Sequence, residues 1–236
     1  EHHVALTDEA ITKIRNMIRS GELPPGTRLP PEQQLAAQIG LSRSGVREAV
    51  KALEMARVLD VRRGDGTYVT TLAPHLLLEG LRFAVELLRN DTLLEVVEVR
   101  RLLEPAATGL AATRMSDAAL DELGQILEDM HAAAADPEQL IQYDIAFHRA
   151  VIAATGNETL TSLLDGLSDR TVRARVWRGL IEANSAHVTL DEHRAIYLAL
   201  RSRDQLLAQA SALVHVNTSE SWLRTVLGQQ PTEDPA

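Results

Sequence analysis

Residues 58–71, VLDVRRGDGTYVTT, break the helical periodicity that runs through the rest of this 236-residue chain. Val58-Leu59, Val61 and Tyr68-Val69 flank RRGDGT, the pattern of a β-hairpin closed by a Gly-rich turn. After Thr71 the strand pattern ends and does not return. One hairpin in an otherwise helical sequence predicts a mainly α fold. Composition agrees, since aromatics are only 3% and Ala and Leu are abundant, which favours helices packed through aliphatic side chains.

Upstream of the hairpin, Thr7 to Ser20 reads as a helix capped by Thr7, with Ala10, Ile11, Ile14, Met17 and Ile18 as its apolar stripe. GELPPGTRLP stops it. Pro31 opens a second helix through Leu35, Ala36 and Ile39, ended by Gly40. LSRSGVREAVKALEMARV gives a third, capped by Ser42, with Val46, Val50 and Leu53 facing inward. Helix, helix, a GLS turn, helix and hairpin make a winged helix-turn-helix, in which the third helix enters a major groove. Its first turn carries Arg43, Ser44 and Arg47, donors suited to guanine edges and phosphates. On an isolated helix such arginines read as a solvated face; the turn and the wing give them a DNA-reading position.

Charge divides the chain at the same place. Residues 1–72 carry 10 Lys+Arg against 9 Asp+Glu, and the remainder 14 against 24, within a total of −9. A polyanion would meet the Arg-studded head rather than the acidic body. From residue 73 to 228 every segment reads as helix. The helices are PHLLLEGLRFAVELLRN, TLLEVVEVRRLLEPAATGLAATR, a Ser116-capped third, a fourth opened by Pro137, and three more beginning at NETLTSLL, TLDEHRAI and DQLLAQAS. Short connections make this an antiparallel seven-helix bundle, and residues 229–236 read as a disordered tail. No apolar run approaches the roughly 18 residues of a membrane span. The start, EHHVALTDEA, has no apolar region of a secretory signal, and cysteine is absent, so thiolate metal sites are excluded and a cytoplasmic location is expected.

GELPPGTRLPPEQQLAAQIGLSRSGVREAVKALEMARVLDVRRGDGTYV resembles the DNA-binding domain of the GntR family of bacterial transcription regulators, along nearly all of residues 7–72. The resemblance implies that Arg43 and Arg47 contact the operator, with Ser44 on phosphate and Gly64 at the wing tip in the minor groove. Three positions depart from the family's habit. Gln33 replaces a common Arg or Lys, Asp65 replaces a frequent basic wing residue, and Gly45 stands where Pro or Thr is usual. VEVRRLLEPAATGLAA and DIAFHRAVIAATGN resemble the FCD ligand-binding domain of the FadR-type branch, from about His75 to Leu227. The extra leading helix, residues 75–90, fits its seven-helix version.

QYDIAFHRAV, residues 142–151, sets the chemical problem. Leu140, Ile141, Phe147, Val151 and Ile152 mark the buried stripe of a helix, and Asp144 and His148, four residues apart, fall on it. Burying a carboxylate and an imidazole there costs several kcal/mol (about) unless they are paired or ligate something. His193 and His215, in the sixth and seventh bundle helices, complete a set of three imidazoles and one carboxylate that suits a divalent ion, zinc first and nickel next. The resemblance implies the same set, an Asp-x₃-His pair with two later His. His75, His131 and His187 are expected in solvent. Arg100 also lies on an apolar stripe; it either pairs with Glu104 or Glu98, or faces the metal cavity and holds a carboxylate ligand, as the resemblance implies.

The resulting expectation is a ligand-responsive, metal-containing transcription regulator. It would be a homodimeric repressor that reads a short palindromic operator and is released by a small anionic metabolite, a carboxylate bound at the metal. A regulator whose effector is the ion itself is the second reading. A zinc hydrolase is the third; against it stand a full four-ligand set, no evident partner acid and an attached DNA-binding head.

Overall fold

The computed structural model describes residues 2–80, 92–182 and 185–228, and its first helix, α1, spans His2–Ser20. Nothing from His2 to Leu6 breaks a helix, so α1 begins before Thr7, and Thr7 lies inside it rather than capping it. Helix α2 (Glu32–Ile39) follows Pro31 and ends at Gly40, whose left-handed φ of 71° lets its N–H close on the Ala36 carbonyl. Helix α3 (Arg43–Met55) starts at Ser42, whose Oγ accepts from the Gly45 N–H at 3.2 Å.

Strands β1 (Leu59–Arg62) and β2 (Gly66–Val69) pair antiparallel, Leu59 opposite Val69 and Arg62 opposite Gly66. The turn between them needs glycine twice. Gly64 has φ +77°, and Gly66 has φ +139°; a Cβ on Gly66 would also lie 2.5 Å from Arg28 Nε. The inner faces of α1, α2, α3 and the hairpin share one core that includes Ile14, Leu35, Val46, Leu53, Leu59 and Val69.

The chain divides into two units, Glu1–Leu81 and Arg82–Ala236, so the short helix α4 (Pro74–Leu77) belongs with the winged head. An ion pair from Arg57 Nε to Glu79 Oε2, 2.6 Å, ties the residues beyond the hairpin to the head. The expected leading bundle helix, 75–90, lies mostly outside the described residues, as does the tail 229–236.

The second unit is a bundle of α5 (Leu93–Arg114), α6 (Asp117–Ala132), α7 (Pro137–Ala153), α8 (Glu158–Ile181), α9 (Ser185–Arg201) and α10 (Gln205–Gly228). Ser116, Asp136 and Asn157 cap α6, α7 and α8 through their side-chain oxygens. Helix α9 starts at Ser185, four residues before the TLDEH segment that marks it in sequence. The main core gathers Leu123, Met130, Phe147, Ile196 and Leu200. A second cluster, including Val96, Ala107, Ile152 and Leu164, joins α5, α7 and α8. Among the described residues no helix is long and apolar enough to cross a membrane.

Candidate functional site

Helix periodicity brings the four predicted ligands together. Asp144 and His148 lie one turn apart on α7, His193 comes from α9 and His215 from α10. One potential ligand atom from each lies within 4.8 Å of all the others. His148 Nε2 is 3.2 Å from both His193 Nε2 and His215 Nε2, and Asp144 Oδ1 is 3.3 Å from His193 Nε2.

Hydrogen bonds on the far side of two rings set their orientation. His193 Nδ1 donates to the Thr189 carbonyl at 2.7 Å, and His215 Nδ1 donates to Glu192 Oε2 at 2.9 Å. Both rings therefore turn a bare Nε2 lone pair inward. Glu192 is itself held by the Thr218 hydroxyl, 2.5 Å away. A cation among these inward-facing nitrogens and the Asp144 carboxylate oxygen would be favoured by all of them. Donors about 2.0–2.1 Å from one ion stand about 3 Å or more apart; the spacings here include 3.2 and 3.3 Å, with His148 Nε2 3.8 Å from Asp144 Oδ1 and all four atoms within 4.8 Å of one another. The donor set fits a zinc- or nickel-like ion.

Electrostatics favour neutral His148 and His215 and an ionised Asp144. Burial pushes the His148 imidazole well below its ordinary value, and the neighbouring histidines add to this against the pull of Asp144. Burial, then His193, lowers His215 despite Glu192. Burial would raise the Asp144 carboxyl, but Arg175 and the surrounding imidazoles hold it well below the carboxylate range. Neutral imidazoles and an ionised carboxylate are the forms that ligate.

The cation opposite Asp144 is Arg175 of α8, which donates to Asp144 Oδ2. Sequence reading missed it. Arg100, expected either to pair with Glu104 or Glu98 or to face the cavity, is buried against Glu104: Nε donates to Glu104 Oε1 at 2.6 Å, Nη2 to Glu104 Oε2 at 3.2 Å, and Nη1 to Thr171 Oγ1 at 2.7 Å. That is the local i, i+4 pairing, and it satisfies the guanidinium where it stands. A cavity of about 50 Å³ opens beside the cluster, lined by Asp144, His215, Arg175, Arg178, Ser185 and Thr189 among others, without Arg100. Arg178 pairs with Glu182 at 2.6 Å. His75, His131 and His187 are exposed.

In the other unit, Arg43, Ser44 and Arg47 sit in the exposed first turns of α3, and Gly64 is at the hairpin tip. Ser44 Oγ lies 3.2 Å from Ser42 Oγ. Arg47 donates through Nε and Nη2 to Glu32 Oε2 at 3.1 and 2.9 Å, and Arg43 Nε is 3.6 Å from the same oxygen. Asp65, on the wing, accepts from the Tyr68 hydroxyl at 3.0 Å.

Residues 6–69 match the model of bacterial regulatory proteins of the gntR family, and residues 95–218 match the FCD domain. The HTH-type transcriptional regulator LutR of Bacillus subtilis is 32% identical, covering 88% of this chain and 96% of its own. The galactonate operon transcriptional repressor of Escherichia coli is 31% identical, covering 93% and 97%. The solved structure of Streptococcus agalactiae GntR superposes with a TM-score of 0.67 at 28% identity, covering 92% of this chain and 99% of that one. The chain belongs to the GntR family and is a DNA-binding transcriptional regulator with an FCD domain, not an enzyme.

Proposed function

We propose that the protein is a homodimeric repressor, released from a short palindromic operator by a small carboxylate held on a divalent ion. The observation that carries this reading is the convergence of three imidazole Nε2 atoms and the Asp144 carboxylate on one buried point. Asp144, His148, His193 and His215 would hold the ion, zinc or nickel, which supplies a Lewis-acidic attachment point for an anionic oxygen.

Charge balance selects the class of effector. Asp144 is already matched by Arg175, Arg100 by Glu104 and Arg178 by Glu182. A divalent ion on three neutral rings therefore brings two positive charges, of which Glu192 behind His215 offsets one, and a monoanion restores neutrality. Arg175, rather than Arg100, takes the far end of that anion, because it lines the cavity. A cavity of about 50 Å³ beside the cluster gives the anion a way to the ion. One relative is named for the operon of a sugar acid, galactonate.

Arg43, Ser44, Arg47 and Gly64 would meet DNA: the arginines at base edges, the serine and the wing glycine at the backbone and minor groove. Two heads read two half-sites. Exposed apolar side chains on α5 and α10, including Leu102, Leu206 and Val214, offer surface for pairing two copies.

The test titrates zinc-loaded and chelator-stripped protein with lactate, galactonate and acetate, and follows operator affinity and melting temperature. A coupled effector shifts operator affinity by about 5- to 150-fold, and only in the loaded protein. Zinc alone producing the whole shift would make the ion the effector instead. No shift with any acid or with zinc would refute ligand control through this site.

A further inference from the structure

Glu32 is the first residue of α2, yet its carboxylate is spent on α3. It accepts from Arg47 Nε at 3.1 and 3.3 Å and from Arg47 Nη2 at 2.9 Å, with Arg43 Nε at 3.6 Å. Arg43 and Arg47 are four residues apart, on one face of α3, the helix proposed to meet base edges. We propose that Glu32 is a positioning residue for base reading, which buttresses Arg47 by its side edge and leaves its end edge aimed at a guanine. This rests on the reading of α3 as the recognition helix.

Guanidinium geometry carries the argument. The planar group presents donors along two useful edges: a side edge, made of Nε–H and one Nη2–H, and an end edge, made of Nη1–H and the other Nη2–H. Glu32 takes the side edge. What remains is the end edge, whose paired donors match the O6 and N7 acceptors of guanine in the major groove. A long arginine otherwise loses much rotamer freedom on binding; holding it in place beforehand lowers that cost for the matching base and not for others. The carboxylate is ionised for this role, because the Arg47 hydrogen bond keeps its carboxyl below the ordinary range.

The sign of the charge makes the same point. A carboxylate on the DNA-facing side repels phosphate and weakens sequence-independent binding. Glu32 thus raises discrimination from both directions: it improves the right contact and penalises contacts to backbone alone. Gln33, beside it, adds no cation. The head's affinity therefore depends more on correctly placed arginines than on bulk charge.

The experiment uses the full-length protein and a duplex it selects from a randomised pool. Affinities are measured for that duplex, for the same duplex with half-site guanines replaced by 7-deazaguanine, and for a scrambled duplex. Removing the N7 acceptor is expected to weaken wild-type binding about tenfold. In Glu32→Ala the penalty falls to about threefold or less, while binding to scrambled duplex holds or strengthens. Glu32→Gln, which keeps the volume and one acceptor oxygen, falls between. Arg47→Ala erases the penalty. If Arg47→Ala erases it but both Glu32 variants keep it in full, the buttress is overturned while the recognition helix stands. If Arg47→Ala keeps the penalty, the recognition-helix reading itself fails. Parallel loss of selected and scrambled binding in both Glu32 variants would show a structural role only, and would equally overturn the proposal.

Discussion

Asp144→Asn separates the Arg175 pairing of this carboxylate from its proposed role as a metal ligand. The Asp144 side chain is 3% exposed and that of Arg175 13%, so the substitution leaves a buried guanidinium facing a neutral amide. Removing one partner of a buried ion pair costs about 3–5 kcal/mol, and the partial exposure of Arg175 and the oxygen kept by Asn place the value near 3. For a unit of this size each kcal/mol moves the melting temperature by about 2–4 °C. The chelator-stripped variant should therefore melt about 6–12 °C below wild type in the transition of the bundle. Zinc affinity should fall as well, since the only anionic ligand is gone. The double variant Asp144→Asn/Arg175→Met then discriminates. Replacing a whole buried pair by neutral groups is often close to neutral, so stripped-state stability should return while zinc affinity does not. Calorimetry of stripped protein and competition with a chromophoric chelator read the two quantities separately. A single variant that melts within about 2 °C of wild type, or a double variant that binds zinc as wild type does, would refute the reasoning.

The stripped protein should lose stability as pH falls below about 6.5: His148 and His215 are held below their ordinary value in the fold, so the unfolded chain binds more protons there. Melting temperature scanned from about pH 8 to about pH 5.5 checks the sign, and a flat or rising profile counts against the buried neutral imidazoles. Glu192→Gln weakens the acceptor that turns His215 Nε2 inward, and should lower zinc affinity about 10- to 100-fold in chelator competition, with little change in helix content. Gly66→Ala forces a Cβ to within 2.5 Å of Arg28 Nε at a φ of +139°, and should destabilise the wing by about 1–3 kcal/mol, read as a lower melting temperature of the head and weaker operator binding.

What could be read from the sequence was local. Ser42 announces α3 because a cap acts within three residues, and Gly40 ends α2 through a single left-handed backbone. Asp144 and His148 reveal themselves because α7 has a regular apolar stripe against which two polar residues stand out. The limits follow from the same physics. Thr7 looks like a cap, but α1 runs on past it because no residue before it resists helix. The His215–Glu192 bond joins α10 to α9, and no spacing within either helix encodes it.

The two arginines show most clearly where local reasoning stops. Arg100 stands on a legible stripe, which draws attention to it, yet its countercharge is Glu104 one turn away, and the pair is complete without any ligand. Arg175 lies in TVRARVWRGL, where arginines and apolar residues mix without a clean face, and its partner Asp144 is 31 residues distant. A sequence marks where charge becomes buried; which countercharge meets it is decided by helices that approach only in the fold. Here that matching determines the chemistry of the site. With Arg100, Arg175 and Arg178 each already opposite a carboxylate, surplus positive charge at the proposed site would come from an ion on the three imidazoles. An anion drawn to such an ion would meet Arg175, which lines the cavity, and would compete with Asp144 for that guanidinium.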